Sequence, residues 1–256
     1  MSGTVLDRIL AAKRARLERG EYAPGGPPPR PSDGAAFLGA LRGPGVRIVA
    51  EIKRRSPSAG EIVPDADGRL ETIALEYRRA RAAALSVVIE EDHFGGKPDW
   101  LPRAKRISGL PALMKDFVVS ERQLDFALGL GADAVLLIVR ALEDAELARL
   151  AEGAKRRGLA TVVEAHDADE VRRAAAVAPD VLGVNARDLA TFETNLASLE
   201  ALASAIPAGP VRLAESGIRS REDVARLSAA GFEAFLVGET LLRAEDPQEM
   251  LRELRR

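Results

Sequence analysis

The sequence predicts an α/β protein, a (β/α)8 TIM barrel with an N-terminal helical extension, and three of its features lead there. From residue 46 onward, short aliphatic runs alternate with amphipathic helical windows. Eight such units fit into about 210 residues, the spacing of a closed parallel barrel with right-handed crossovers. Polar residues follow each run on its carboxyl side only. A doubly wound open sheet is the weaker alternative, because no glycine fingerprint follows the first run.

Ahead of the barrel, Thr4-x-x-Asp7 is a capping-box pattern, and Leu6, Ile9, Leu10 and Leu17 recur at helical intervals. Together they predict an amphipathic helix over 4–19. Pro24-Gly25-Gly26-Pro27-Pro28-Pro29-Arg30-Pro31 suits neither helix nor strand, and a short helical patch follows over 35–41. The apolar stripe needs a surface to cover, so residues 1–45 read as an extension packed on a catalytic barrel of residues 46–256. Strands are expected at 47–52, 85–89, 111–114, 134–139, 160–163, 181–184, 211–214 and 234–237. Ser120-x-x-Gln123, Asp167-x-x-Glu170 and Ser220-x-x-Asp223 signal helix starts, while Gly131, Gly158 and Gly231 sit where helices should end.

Composition removes several function classes. Hydrophobic residues at 46% and charged ones at 30% suit a protein with a full core and exclude a disordered chain. A net charge of -2 gives no electrostatic footprint for nucleic acid or an anionic membrane. With no cysteine there is no disulfide, thiolate nucleophile or Cys-ligated metal, and only two histidines, His93 and His166, argue against a catalytic zinc. Both histidines read as surface loop residues. No basic segment with an apolar core opens the chain and no run of about 18 apolar residues exists, so a cytoplasmic protein is expected, a monomer or weak homodimer.

The polar residues that end the strands carry the chemistry. Glu51, Lys115, Glu164 and Glu215 each stand two residues after an aliphatic neighbour, namely Val49, Leu113, Val162 and Leu213, and Lys53 continues the first series. Period two therefore puts two lysines and three carboxylates on the inward face, at the barrel mouth where active sites form. A lysine among carboxylates can serve as a general acid or fixed cation, and a carboxylate among apolar walls as a base. Glu90, Glu91 and Arg140 read as solvated rim charges, and Asp116 reads either way. Phe94, Phe117, Leu136 and Ile138 offer an organic ring a home. Ala214-Glu215-Ser216-Gly217-Ile218 and Leu236-Val237-Gly238-Glu239-Thr240, after strands seven and eight, allow backbone N–H groups to approach a phosphate.

Six segments in order resemble indole-3-glycerol phosphate synthase: Ala50-Glu51-Ile52-Lys53-Arg54-Arg55-Ser56-Pro57-Ser58, Glu90-Glu91-Asp92-His93-Phe94-Gly95-Gly96, Leu113-Met114-Lys115-Asp116-Phe117, Val163-Glu164, Gly183-Val184-Asn185-Ala186-Arg187-Asp188-Leu189 and Ala214-Glu215-Ser216-Gly217-Ile218. That family also carries extra helices before its first strand. The resemblance implies ring closure of 1-(2-carboxyphenylamino)-1-deoxyribulose 5-phosphate, with loss of carbon dioxide and water and without metal or cofactor. It implies Lys115 as general acid of the condensation, Glu164 as base or acid of the dehydration, Lys53 as holder of the carboxylate or phosphate, and Glu51 as its partner. Asn185 and Glu215 would grip ribulose hydroxyls, with Arg187 nearby. Ser216, Gly217, Gly238 and Glu239 would bind phosphate through backbone N–H, and Phe94, Phe117, Leu136, Ile138 and Leu189 would hold the ring, with Ser56 near the carboxylate. Two departures, Ile89 where relatives usually have Thr and Ala186 where they often have a polar residue, are expected to adjoin the site. A sugar-phosphate isomerase on the same architecture, or an engineered enzyme on this scaffold, is the alternative. Such isomerases typically use a catalytic Cys or Asp, and lysines at 53 and 115 fit them poorly.

Overall fold

The computed structural model describes residues 4–23, 31–187 and 194–256. Eight parallel strands close into a barrel. They are β1 (Arg47–Ile52), β2 (Ala84–Val88), β3 (Ala112–Lys115), β4 (Ala134–Ile138), β5 (Ala160–Ala165), β6 (Val181–Asn185), β7 (Val211–Glu215) and β8 (Ala234–Val237). β1 closes the ring on β8, from Arg47 opposite Ala234 to Ala50 opposite Val237, so the barrel sheet itself has no open edge. Among the described residues no helix is long and apolar enough to cross a membrane.

The helices start where the sequence signals them. Thr4 caps α1 (Val5–Glu18) in a full capping box with Asp7; Ser120, Asp167 and Ser220 cap α5 (Glu121–Leu130), α7 (Ala168–Ala176) and α9 (Arg221–Ala229). The others are α2 (Gly34–Leu41), α3 (Ala66–Arg79), α4 (Trp100–Ser108), α6 (Asp144–Arg156), α8 (Leu196–Ala203), α10 (Glu239–Arg243) and α11 (Pro247–Leu254). The expected Pro-rich connection lies mostly outside the described residues.

Strand ends differ from expectation in one instructive way. β3, β5, β6 and β7 run on through Lys115, Glu164, Asn185 and Glu215, because ladder pairing continues past the aliphatic run: Ile138 opposite Glu164, Asn185 opposite Glu215. These four polar groups thus sit on rigid strand backbone rather than in loops. β2 lies one residue earlier than expected, and a small antiparallel ribbon, Arg55 and Ser56 against Gly60 and Glu61, stiffens the loop after β1. Below the mouth, Val49, Leu113, Val162 and Leu213 are fully buried and fill the interior.

The two leading helices touch opposite ends of the barrel. α2 sits at the amino ends of the strands, where Gly34 donates its N–H to Gly158 O at 3.2 Å and buries Phe37 and Leu41. Nearby, the buried Asp133 carboxylate accepts from Asp33 N, Ala112 N and Lys105 Nζ at 2.7–2.8 Å, a fully satisfied polar plug. α1 lies at the carboxyl ends. Its Ile9, Leu10 and Lys13 are buried, and Lys13 Nζ reaches Asp116 Oδ1 at 2.7 Å and Glu90 Oε1 at 3.9 Å.

Glu90 is therefore no rim charge, contrary to its sequence reading. Its carboxylate is buried and accepts backbone N–H groups of Asp92, His93 and Phe94 at 2.7–3.3 Å. Asp116 is buried against Lys13 as well. Glu91 does stand at the rim, bonded to Arg16. Arg140 is half-buried and donates to Glu170 at 2.7 Å.

Candidate active site

A cavity of about 460 Å³ opens at the carboxyl ends of the strands. That volume falls in the range of small-molecule sites. Its floor is the charged cluster that strand parity predicts. Lys115 Nζ lies 2.6 Å from Glu215 Oε2, 3.7 Å from Glu51 Oε2 and 3.8 Å from Glu164 Oε2, and Lys53 Nζ lies 2.6 Å from Glu51 Oε1. Four strands thus deliver one ammonium and three carboxylates to one point, with a second ammonium at its edge.

Charge balance sets the protonation states. Burial alone would strip Lys115 of its proton, but Glu215, Glu51 and Glu164 outweigh it and hold that proton well above the ordinary lysine range. Burial would also raise Glu164; the His166 ring, Lys115 and the Asn185 amide, which donates to Oε1 at 3.1 Å, keep it ionised and its pKa low. Glu215 goes the other way. Fully enclosed, and repelled by Glu164 and Glu51, it is raised above the usual carboxylate range although Lys115 opposes this. Burial raises Glu51 too, yet Lys53 and Lys115 bring it below its ordinary value. Two neighbouring carboxylates pushed apart in this way are a common signature of acid–base sites.

Glycines on adjacent strands make room for two of these acids. A Cβ on Gly183 of β6 would collide with the Glu215 carboxylate, and one on Gly238, just after β8, would come within 2.5 Å of Glu51 Oε1. Gly183→Ala is expected to push Glu215 off Lys115 and lower kcat by up to about 10²-fold, since a shift near 1 Å in a reacting group can have that effect. Steady-state kinetics beside a melting curve will show it, as loss of kcat at nearly native stability.

The structure brings together most of the residues picked from sequence. Glu51, Lys53, Ser56, Phe94, Lys115, Phe117, Leu136, Ile138, Glu164, Asn185, Arg187, Ser216, Gly217, Gly238 and Glu239 all line the cavity. The rings of Phe94 and Phe117 stand 6.2 Å apart, an aromatic wall on one side. At the other side Ser216 is held at φ 67° and Gly217 at φ 76°, a left-handed pair that turns the chain after β7, and for a serine that geometry is strained. The Glu239 carboxylate is occupied by Arg243 at 3.1 Å and Arg187 at 3.9 Å, which leaves backbone as its means of meeting an anion. Arg219 and Arg243 join Arg187 around this end of the cavity.

Some expectations need correction. Glu215 does not line the cavity; it is buried behind Lys115, with Oε2 on that ammonium and Oε1 unpartnered. Ile89 and Ala186 do not line it either: both are buried in the hydrophobic core, one residue out of phase with the inward face. His166 is not a surface residue, since its ring is 4% exposed and lies 3.3 Å from Glu164 Oε1 and 3.0 Å from Glu170 Oε2. His93 is half-buried beside Glu90. Leu189 lies outside the described residues.

Sequence reasoning missed α1 as part of the wall: Val5, Leu6 and Ile9 line the cavity. It also missed Lys13, whose signal was available, since Ile9, Lys13 and Leu17 share one helical stripe and a lysine on a buried stripe asks for a buried acid. His166 follows Glu164 at strand period and was readable in the same way.

Comparison with known proteins agrees with this geometry. Among solved structures, orotidine 5'-phosphate decarboxylase from Pyrococcus horikoshii superimposes with a TM-score of 0.61 over 81% of this chain and 96% of its own, at 14% identity, a likeness of fold alone. At the sequence level, indole-3-glycerol phosphate synthase of Koribacter versatilis is 41% identical over 96% of this chain and 94% of its own. Indole-3-glycerol phosphate synthase 1 of Streptomyces coelicolor is 41% identical over 98% and 94%. The family model described as indole-3-glycerol phosphate synthase matches residues 6–254, and the chain therefore belongs to the indole-3-glycerol phosphate synthase family.

Proposed function

We propose that the cluster around Lys115 closes the indole ring of 1-(2-carboxyphenylamino)-1-deoxyribulose 5-phosphate, with residues 46–256 as the catalytic barrel and residues 1–45 as an extension that completes its wall. The single observation that supports this most is Lys115 Nζ, in contact with three buried carboxylates and facing a cavity with apolar and cationic sides. The ring carbon bearing the carboxylate attacks the ketose carbonyl carbon. The carbonyl oxygen takes a proton from Lys115, an easy transfer because an alkoxide is a stronger base than the lysine amine left behind, and the amine regains a proton from solvent before the next turnover. The carbon–carboxylate bond then breaks and its electrons restore the aromatic ring. In the last step the hydroxyl leaves as water with one proton, and the adjacent methylene carbon gives up another, with Glu164 as the acid–base group.

Lys53, fixed by Glu51, holds the substrate carboxylate; Asn185 and Arg187 hold ribulose oxygens. Glu215 acts through Lys115, which it grips, rather than on substrate hydroxyls. Phe94, Phe117, Leu136, Ile138 and Leu189 take the ring, Ser56 lies near the carboxylate, and the backbone of Ser216, Gly217, Gly238 and Glu239 takes the phosphate. On this reading the enzyme works in the cytoplasm, as a monomer or weak homodimer, with a phosphorylated small molecule as its only ligand. Purified protein given the substrate without added metal should produce indole absorbance and fluorescence; folded protein that makes none rejects the assignment.

Glu164→Gln separates the steps. It is expected to lower indole formation by about 10²- to 10⁴-fold, the usual contribution of a positioned acid–base group. Carbon dioxide release in a single turnover should fall far less, because dehydration follows it. Equal loss of both products would move Glu164 to the earlier chemistry.

A further inference from the structure

We propose that His166 is a positioning residue that lends Glu164 the proton for the leaving hydroxyl and recovers it from the methylene carbon. This rests on the dehydration role given to Glu164 above. The imidazole is enclosed between two acids: Nε2 lies 3.3 Å from Glu164 Oε1, and Nδ1 lies 3.0 Å from Glu170 Oε2. It does not line the cavity, so it can act only through Glu164.

The surroundings fix which nitrogen does what. Glu170 is anchored by Arg140 Nε at 2.7 Å and also accepts the His166 backbone N–H at 2.8 Å, so its carboxylate is ionised and Nδ1–H donates to it. The exchangeable proton is then the one on Nε2, which makes no hydrogen bond in this structure and stands at an ion-pair distance of 3.3 Å from Glu164 Oε1. The same Oε1 accepts from Asn185 Nδ2 at 3.1 Å, and Lys115 stands 3.8 Å from the other oxygen, Oε2. The charged and polar groups that face the pair are Glu170 from α7, Arg140 from the turn after β4, Asn185 from β6 and Lys115 from β3. Asp167, at the start of α7, meets Arg140 at 3.7 Å.

This arrangement solves a problem of proton supply. Dehydration needs one proton delivered and one removed at neighbouring atoms, and Glu164 held strongly ionised has none to give. Nε2–H passes its proton to Glu164, leaving neutral His166 and a carboxylic acid. The hydroxyl departs as water with that proton. The carboxylate then takes the methylene proton and returns it to Nε2, so the pair ends as it began with no net proton exchanged with solvent. Burial would drive the ring neutral, but Glu164 and Glu170 prevail and raise it to about 9, so the donor is loaded across the neutral range and lost above that value.

The test combines His166→Gln and His166→Asn kinetics with imidazole ¹⁵N titration, in which the only other histidine is His93. We expect indole turnover to fall by about 10²-fold in both variants, with KM and melting temperature near wild type. Carbon dioxide release in a single turnover should stay near the wild-type rate, and the fall in wild-type kcat above pH about 9 should be absent. In the wild-type protein the His166 ring should remain imidazolium through neutrality, and in Glu164→Gln it should titrate at lower pH. Unchanged kcat and alkaline limb in the variants, equal loss of carbon dioxide and indole, or a neutral His166 ring at pH 6 in an active wild-type enzyme would each overturn the relay. Absence of any indole from the wild-type protein would instead reject the proposed function, while the ¹⁵N coupling of His166 to Glu164 could still be read.

Discussion

Lys115→Met is expected to lower kcat by about 10²- to 10⁴-fold, or about 3–5 kcal/mol of transition-state stabilisation, with a smaller change in KM. The reason lies in the geometry of its three acids. Methionine keeps most of the side-chain volume but offers neither proton nor charge, so Glu51, Glu164 and Glu215 lose the cation they share and keep only Lys53 at Glu51 and the His166 ring at Glu164. The cluster responds by taking up protons, which weakens the ionisation of Glu164 that Lys115 supports together with His166 and Asn185. Lys115→Arg divides the two roles, because a guanidinium restores the positive charge yet does not give up a proton near neutral pH. The arginine variant should regain stability and the ionisation of Glu164 but little turnover. A methionine variant within tenfold of wild-type kcat would put the condensation acid elsewhere, with Lys53 the first candidate.

Much of this site was legible before any coordinates, and the reason is strand geometry. Period two is rigid, so a charge two residues past a buried valine or leucine must face the same way, and Glu51, Lys115, Glu164 and Glu215 all do. What stayed hidden depends on partners far apart in sequence. Glu90 reads as a rim charge and Asp116 reads either way because their buried cation, Lys13, comes from a helix in front of the barrel, far away in sequence. His166, one of two histidines and too isolated for a metal site, reads as a surface loop residue, although its position two after Glu164 points inward. Glu215 was correctly placed in the cluster but given contact with substrate, because parity fixes direction and not depth. Ile89 and Ala186 show the converse: one step out of phase with the inward face, they look close in sequence and lie outside the cavity.

The anchoring of α1 yields the second large effect, this time on stability. Lys13 is 2% exposed, and its ammonium is the counter-charge of Asp116, next to Lys115 in the chain. Lys13→Met removes the charge while keeping an apolar stem of similar length, so Asp116 and Glu90 lose their buried cation. Breaking one side of a buried pair typically destabilises by about 3–5 kcal/mol, far more than the pair itself contributes relative to an apolar substitute. Glu90 keeps its three backbone donors, so the penalty concentrates on Asp116, which burial already raises above its ordinary value despite Lys13. The sign with pH follows. Above the folded-state value of Asp116 the orphaned carboxylate is charged and the deficit is complete; as pH falls through that value the carboxyl takes a proton and the deficit shrinks. Lys13→Met with Asp116→Asn removes both charges, so the double variant should be more stable than the sum of the two single losses predicts. Because Val5, Leu6 and Ile9 of the same helix wall the cavity, KM should rise in Lys13→Met while kcat changes little. Urea unfolding of the four proteins at neutral pH and at pH 4 checks the cycle, and a loss below about 1 kcal/mol for Lys13→Met, the range of an exposed pair, would mean that the apolar stripe alone holds α1 in place.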